Sequence, residues 1–184
     1  MQKSEGGFSL IEVLVAALVL AFGVIGAIGM QLAALRTTQQ SAFHSSALHL
    51  AADMADRMRA NIGRMQTTDH DNPYLQVDYA AGQAAKSDIA CYDAPGCDPQ
   101  QIAQFEIDEW LQQIDRALPQ ARVRICRDAA PWQLAAQNFN WDCAGANASA
   151  PVVIKIGWRD KDEADSDARA SAPRIALTVA SLTQ

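Results

Sequence analysis

Catalytic machinery is the first thing this chain lacks. Its 184 residues contain no Ser-His-Asp grouping, no glycine-rich phosphate loop and no His-Glu-x-x-His pair. Histidines number three. His44 and His49 lie five apart on a predicted helix, so they do not share a face as i, i+4 ligands would. Both read as surface or packing residues, and His70, between Asp69 and Asp71, reads as a solvated loop residue. Four cysteines are present, but none forms the Cys-x-x-Cys pair of a zinc site. Positive charge is also scarce. Fifteen Lys and Arg stand against 21 Asp and Glu, for a net charge of −6 and a pI near 4.9. That balance argues against an electrostatic grip on nucleic acid, which depends on basic residues neutralising phosphates. It argues equally against a polybasic membrane patch. No enzyme, cofactor or metal is expected.

Charge is almost missing from one further place, the run from Phe8 to Met30, whose single charged residue is Glu12. A polar leader, residues 1–7, carries Lys3 and Glu5 and ends in Gly6-Gly7. The apolar run is long enough for one helix to cross the roughly 30 Å hydrocarbon core of a bilayer. It is too long for the core of a cleavable secretory signal, and its small residues precede the core instead of following it. A glutamate in lipid costs on the order of 2.5–3.5 kcal/mol at the centre of a span and less near the interface, so Glu12 calls for a partner. The segment Gly-Phe-Ser-Leu-Ile-Glu-Val-Leu-Val-Ala, residues 7–16, resembles the processing motif of type IV prepilins. The resemblance implies cleavage between Gly7 and Phe8, methylation of the new Phe8 amino group, and Glu12 as an assembly charge at the fifth mature position. It also implies a cytoplasmic leader, a single inner-membrane pass and a periplasmic C-terminal domain. The positive-inside signal is too weak to set this orientation by itself.

Beyond Met30 the helical pattern continues, with neither Pro nor Gly between residues 30 and 62. Leu32, Leu35, Phe43, Ala47, Leu50, Met54 and Met58 recur at helical spacing, and Arg36, Gln40, Ser45, Asp53, Asp56 and Arg59 take the other face. One helix is expected from Phe8 to about Ile62, stopped by Gly63. Gly23, Gly26 and Gly29 weaken the apolar half and let helices approach closely. They fit ordinary membrane-helix composition. They also fit the stretch that, in the resembled family, can lose helical order on assembly. The expected organisation is leader 1–7, membrane half-helix 8–30, amphipathic half-helix 31–64 and a globular α+β domain 65–184.

Within that domain, residues 65–98 read as a polar connection. Asp98-Pro99 opens a second helix, with Asp98 as N-cap and Pro99 at the first helical position. Ile102, Phe105, Trp110, Ile114 and Leu118 mark its apolar face, and Pro119 ends it. Residues 122–126, 152–159 and 174–180 alternate as strands, which predicts an antiparallel sheet of three or more strands with one buried and one wet face. The tryptophans at 110, 132, 141 and 158 read as core. Asp160, Asp162, Glu163, Asp165 and Asp167 form an acidic loop. It lacks the glycine and terminal glutamate of an EF-hand and reads as a solvated turn.

Cys91, Cys97, Cys126 and Cys143 all follow the membrane segment, and an even count outside the cytoplasm points to disulfides. Three connectivities are possible. Local pairing, Cys91–Cys97 and Cys126–Cys143, is expected because Pro95-Gly96 can turn the first loop back on itself. The segment Leu50 to Asn61, and the order Trp110, Leu118-Pro119, Val123 to Arg127, Cys143, Val153 to Arg159, look like the PilV group of minor pilins, the pilus modification proteins. That resemblance implies a pilin-like fold and a structural role in a priming or tip complex. The implied partners are other minor pilins, the major pilin, a tip adhesin, the inner-membrane assembly machinery and a prepilin peptidase acting on the chain as substrate. The alternatives are a minor pseudopilin of type II secretion, or a pilin-borne module that binds a host surface or DNA.

Overall fold

The computed structural model describes residues 7, 9–83, 91, 96–145, 147, 149–159 and 172–179. The chain divides into two compact units, Met1–Ala42 and Phe43–Gln184. Helix α1 is Leu10–Ala60, 51 residues. In the first unit every described residue is exposed, and the helix is long and apolar enough to cross a membrane.

The second unit is α+β. The helical stretch from Phe43 packs on a four-stranded antiparallel sheet through Ala47, Ala51, Met54, Ala55 and Met58. Alanines four residues apart present little bulk, which lets the helix approach its neighbours. Leu32 and Leu35, expected on the packed face, stay exposed. The helix stops one turn before Gly63. Asn61 leaves helical geometry and its amide donates to the Pro99 carbonyl at 2.9 Å, tying the end of α1 to the start of the next long helix. A single turn, α2 (Ile62–Met65), and a 3-10 turn, Pro73–Gln76, follow.

Helix α3 is Pro99–Ala117. Asp98 Oδ1 accepts from the Gln100 and Gln101 amides, and Gln101 Oε1 accepts from the Asp98 amide, a complete capping box. Ala103, Ile107, Trp110, Leu111 and Ile114 form its buried stripe. The Trp110 indole donates to the Leu50 carbonyl at 2.8 Å, which fixes α3 against α1.

The sheet has the order β1-β2-β5-β6, with β1 (Asp78–Ala80), β2 (Arg122–Arg127), β5 (Val152–Gly157) and β6 (Ile175–Val179). A small hairpin, β3 (Trp132–Gln133) with β4 (Asn138–Phe139), is inserted between β2 and β5. Ile125 pairs with Ile154, and Ile154 with Leu177. Strand β1 was not expected, because three residues are too few to show alternation.

One expectation is overturned here. Alternation in β5 predicted a wet face carrying Val153, Lys155 and Gly157, yet all six residues of the strand are buried. Val152, Ile154 and Ile156 face the helices in the main core. Residues 128–145 cover the opposite side. Asp128 meets Lys155, and the Trp141 ring lies so close to Gly157 that a Cβ there would sit 2.9 Å from it. The tryptophan reading is corrected in part as well. Trp110 and Trp158 are core residues, whereas Trp132 is 45% exposed on the hairpin, its ring edge-on to Phe139 at 5.1 Å.

Candidate processing and assembly site

The residues singled out at the N-terminus sit where α1 begins. Gly7 is exposed with open space around its Cα. Phe8 lies outside the described residues. The Ser9 carbonyl accepts the Glu12 amide at 3.0 Å and the Val13 amide at 3.2 Å, closing the first turn. Glu12 therefore occupies that turn, where unpaired amide groups and the helix dipole favour an anion. The side chain is exposed, and the helix offers no Lys or Arg before Arg36. An exposed carboxylate embedded in an otherwise apolar cylinder is unfavourable in lipid and favours association with a cation.

Comparison with known proteins bears on the same region. Residues 2–28 match the prokaryotic N-terminal methylation motif, and residues 29–108 match the family of type IV pilin Tt1218. The chain is similar to type IV pilins. The two matches adjoin and together span more than half of it. No curated protein and no solved structure gives a significant match. The pilin family is structural, and the motif implies processing by a prepilin peptidase, membrane anchoring and incorporation into a pilus.

In the second unit, disulfides join Cys91 to Cys97 and Cys126 to Cys143, with Cα separations of 5.9 and 6.2 Å. The second bond links β2 to the segment that covers the back of the sheet. His44 is exposed on α1 with its ring edge toward Trp158 at 6.2 Å, His49 is exposed, and His70 lies 3.4 Å from Asp71. Hydrogen bonds from Thr68 and then His70 lower the Asp71 pKa. The described residues contain no group of three His, Cys, Asp or Glu able to hold a metal. The acidic run from Asp160 to Asp167 lies outside them.

Several polar residues that sequence patterns did not single out organise this unit. Lys155 Nζ lies 2.5 Å from Asp128 Oδ2 and donates to the Asp142 carbonyl at 2.6 Å, with both charged side chains fully buried. Arg122 stacks on Trp141 at 4.4 Å. Arg57 joins α1 to α3 by bonding Asp53 at 3.0 Å and Glu109 at 3.2 Å. Burial alone would lower its pKa, but the two carboxylates outweigh that and raise it. Tyr74, whose side chain is buried and donates to Glu106 at 2.8 Å, is raised by burial first and by that bond second. Tyr79, bonded to Asp115, is pushed up to about 12 for the same two reasons. A lysine flanked by apolar residues at 153–156 was the one available hint of the buried pair.

Proposed function

We propose that this chain is a minor pilin that takes part in type IV pilus assembly, in a priming or tip complex of the PilV kind. The observation that carries the reading is one unbroken helix that joins the methylation-motif segment to the pilin-family segment and holds Glu12 in its first turn. In this reading residues 1–7 are removed after Gly7 and Phe8 is methylated. Residues 8–30 span the inner membrane, residues 31–64 continue the helix, and 65–184 form the periplasmic domain. Glu12 then pairs with the Phe8 ammonium group of a neighbouring subunit. Pairing within one chain would relieve the same desolvation cost but would not reward assembly. The partners are other minor pilins, the major pilin, a tip adhesin and the assembly machinery.

The test is made in a producing strain. Intact mass should place the mature N-terminus at methylated Phe8. Glu12→Ala should be inserted and cleaved normally, yet be absent from sheared pili and fail to co-purify with other minor pilins. Co-assembly of Glu12→Ala at wild-type levels would refute the intermolecular role, and a mature N-terminus elsewhere would refute the processing. Selective capture of DNA or host glycans by the domain, with no pilin partner, would favour a binding module instead.

A further inference from the structure

A cleft of about 300 Å³ lies between the edge strand β1 and helix α3. Gln76, Asp78 and Tyr79 line one side, and Gln104, Ile107 and Asp108 the other. A wider depression of about 530 Å³ shares Gln76 and Gln104 with it.

Asp108 stands apart from the other carboxylates around this cleft. Asp78 faces Arg122 at 3.5 Å and Arg124 at 3.9 Å, and Asp115 accepts the Tyr79 hydroxyl. Asp108 is only 8% exposed. Its Oδ1 accepts from the Gln104 amide at 3.3 Å, while Oδ2 has no hydrogen-bond partner among the described residues. No Lys, Arg or His is among the described residues that line the cleft. A buried carboxylate oxygen without a donor is unfavourable, and native folds rarely retain one without a reason.

The strand beside it has backbone groups turned outward. The Val77 carbonyl accepts from the Ile125 amide at 3.0 Å, and the Ala81 amide donates to the Ala121 carbonyl at 2.8 Å. Antiparallel pairing alternates, so residues 77, 79 and 81 bond toward β2 while the Asp78 amide and carbonyl face away from it; the Ala80 amide and carbonyl, on the same side, are bonded to Gln83. A sheet edge beside a cleft suits an extended chain.

We propose that this cleft binds an extended segment of another protein that brings an arginine or lysine side chain to Asp108. The charged head would pair with the Asp108 carboxylate, and the Asp78 backbone would pair with the incoming chain. The proposal does not depend on the role of Glu12, which lies in the other compact unit.

The experiment uses the full chain in detergent micelles, with N-acetyl-arginine amide as the probe and its citrulline counterpart as the uncharged control. Calorimetric titration should show saturable binding of the arginine probe, at least tenfold weaker binding of citrulline, and a similar loss in Asp108→Asn. Thermal unfolding supplies a second readout. Asp108→Asn keeps an acceptor for Gln104 and removes the unpaired charge, so the variant should unfold at the wild-type temperature or above it. The proposal is overturned if the wild type does not bind the arginine probe, or if citrulline or Asp108→Asn gives equal binding. It is overturned as well if Asp108→Asn lowers the unfolding temperature, because Asp108 would then serve the fold.

Discussion

Lys155→Ala should be among the most damaging single changes in the folded unit. Lys155 lies in the middle of β5 with no solvent exposure, its Nζ placed between Asp128 Oδ2 and the Asp142 carbonyl. The substitution leaves the Asp128 carboxylate buried, held among the described residues by the Ala130 amide at 2.9 Å. Breaking a buried pair by removing one partner costs about 3–5 kcal/mol. For a unit of this size that corresponds to a fall in unfolding temperature on the order of 10 °C. The assay is thermal unfolding of the full chain in micelles, followed by near-ultraviolet circular dichroism. Trp141 packs on the same face of the sheet, so its signal should be lost with the covering segment. The double variant Lys155→Met with Asp128→Asn removes both charges and keeps an acceptor for Ala130. It should recover most of the loss, because a neutral replacement of a buried pair is often close to neutral in stability. If Lys155→Ala falls within about 1 kcal/mol of wild type, the pair behaves as an exposed one, and the covering segment does not exclude water.

Three further outcomes are expected. Asp98→Ala removes the capping box of α3 and should cost about 1 kcal/mol in denaturant titration, with an unchanged slope. Cys126→Ser opens the loop closed by Cys143 and should lower stability by roughly 3 kcal/mol, measured against wild type under oxidising conditions. Tyr79 titrates near 12 in the folded chain against an ordinary value of 10. The folded state therefore holds its proton more tightly, and that contribution is complete below pH 10 and disappears as pH rises through 12. Tyr79→Phe should accordingly flatten the alkaline fall in stability, seen as a smaller loss of unfolding temperature above pH 10.

The long helix, the capped second helix and three of the four main strands could be read from the sequence because each is a periodic apolar pattern or a cap with its own chemistry. Asp98-Pro99 specifies a helix start by itself, and Ile154 and Ile156 specify the helix-facing side of β5. Other features depend on distant contacts. The end of α1 at Ala60 follows from Asn61 reaching Pro99, a residue 38 positions away. Strand β1 exists because Asp78 to Ala80 find β2, with no periodicity of their own. Among the residues of the proposed assembly site, the Gly7-Phe8 junction and Glu12 stand out in sequence, since a charge in an apolar run has few explanations. Asp108 does not, because an aspartate on an amphipathic helix looks like any solvated residue until its surroundings are known.

The buried second face of the sheet is the clearest case of a pattern that reports only part of its environment. Alternation in β5 reflects the difference between its two sides, not whether water reaches the more polar one. The polar side is closed by a segment that is itself poor in apolar periodicity and is held by individual contacts. Cys126 and Cys143 fix its ends to β2, Asp128 binds Lys155, and Arg124 donates to the Trp141 carbonyl at 3.1 Å. Gly157 completes the fit, since any side chain there would collide with the Trp141 ring. Between these anchors the hairpin projects Trp132 and Leu134 into solvent, at 45% and 85% exposure. A segment pinned at its base by a disulfide, an ion pair and a stacked arginine can carry exposed apolar residues at its tip without drawing them into the core. The tip residues can therefore vary in sequence at little cost to the sheet, whereas the residues at the base cannot.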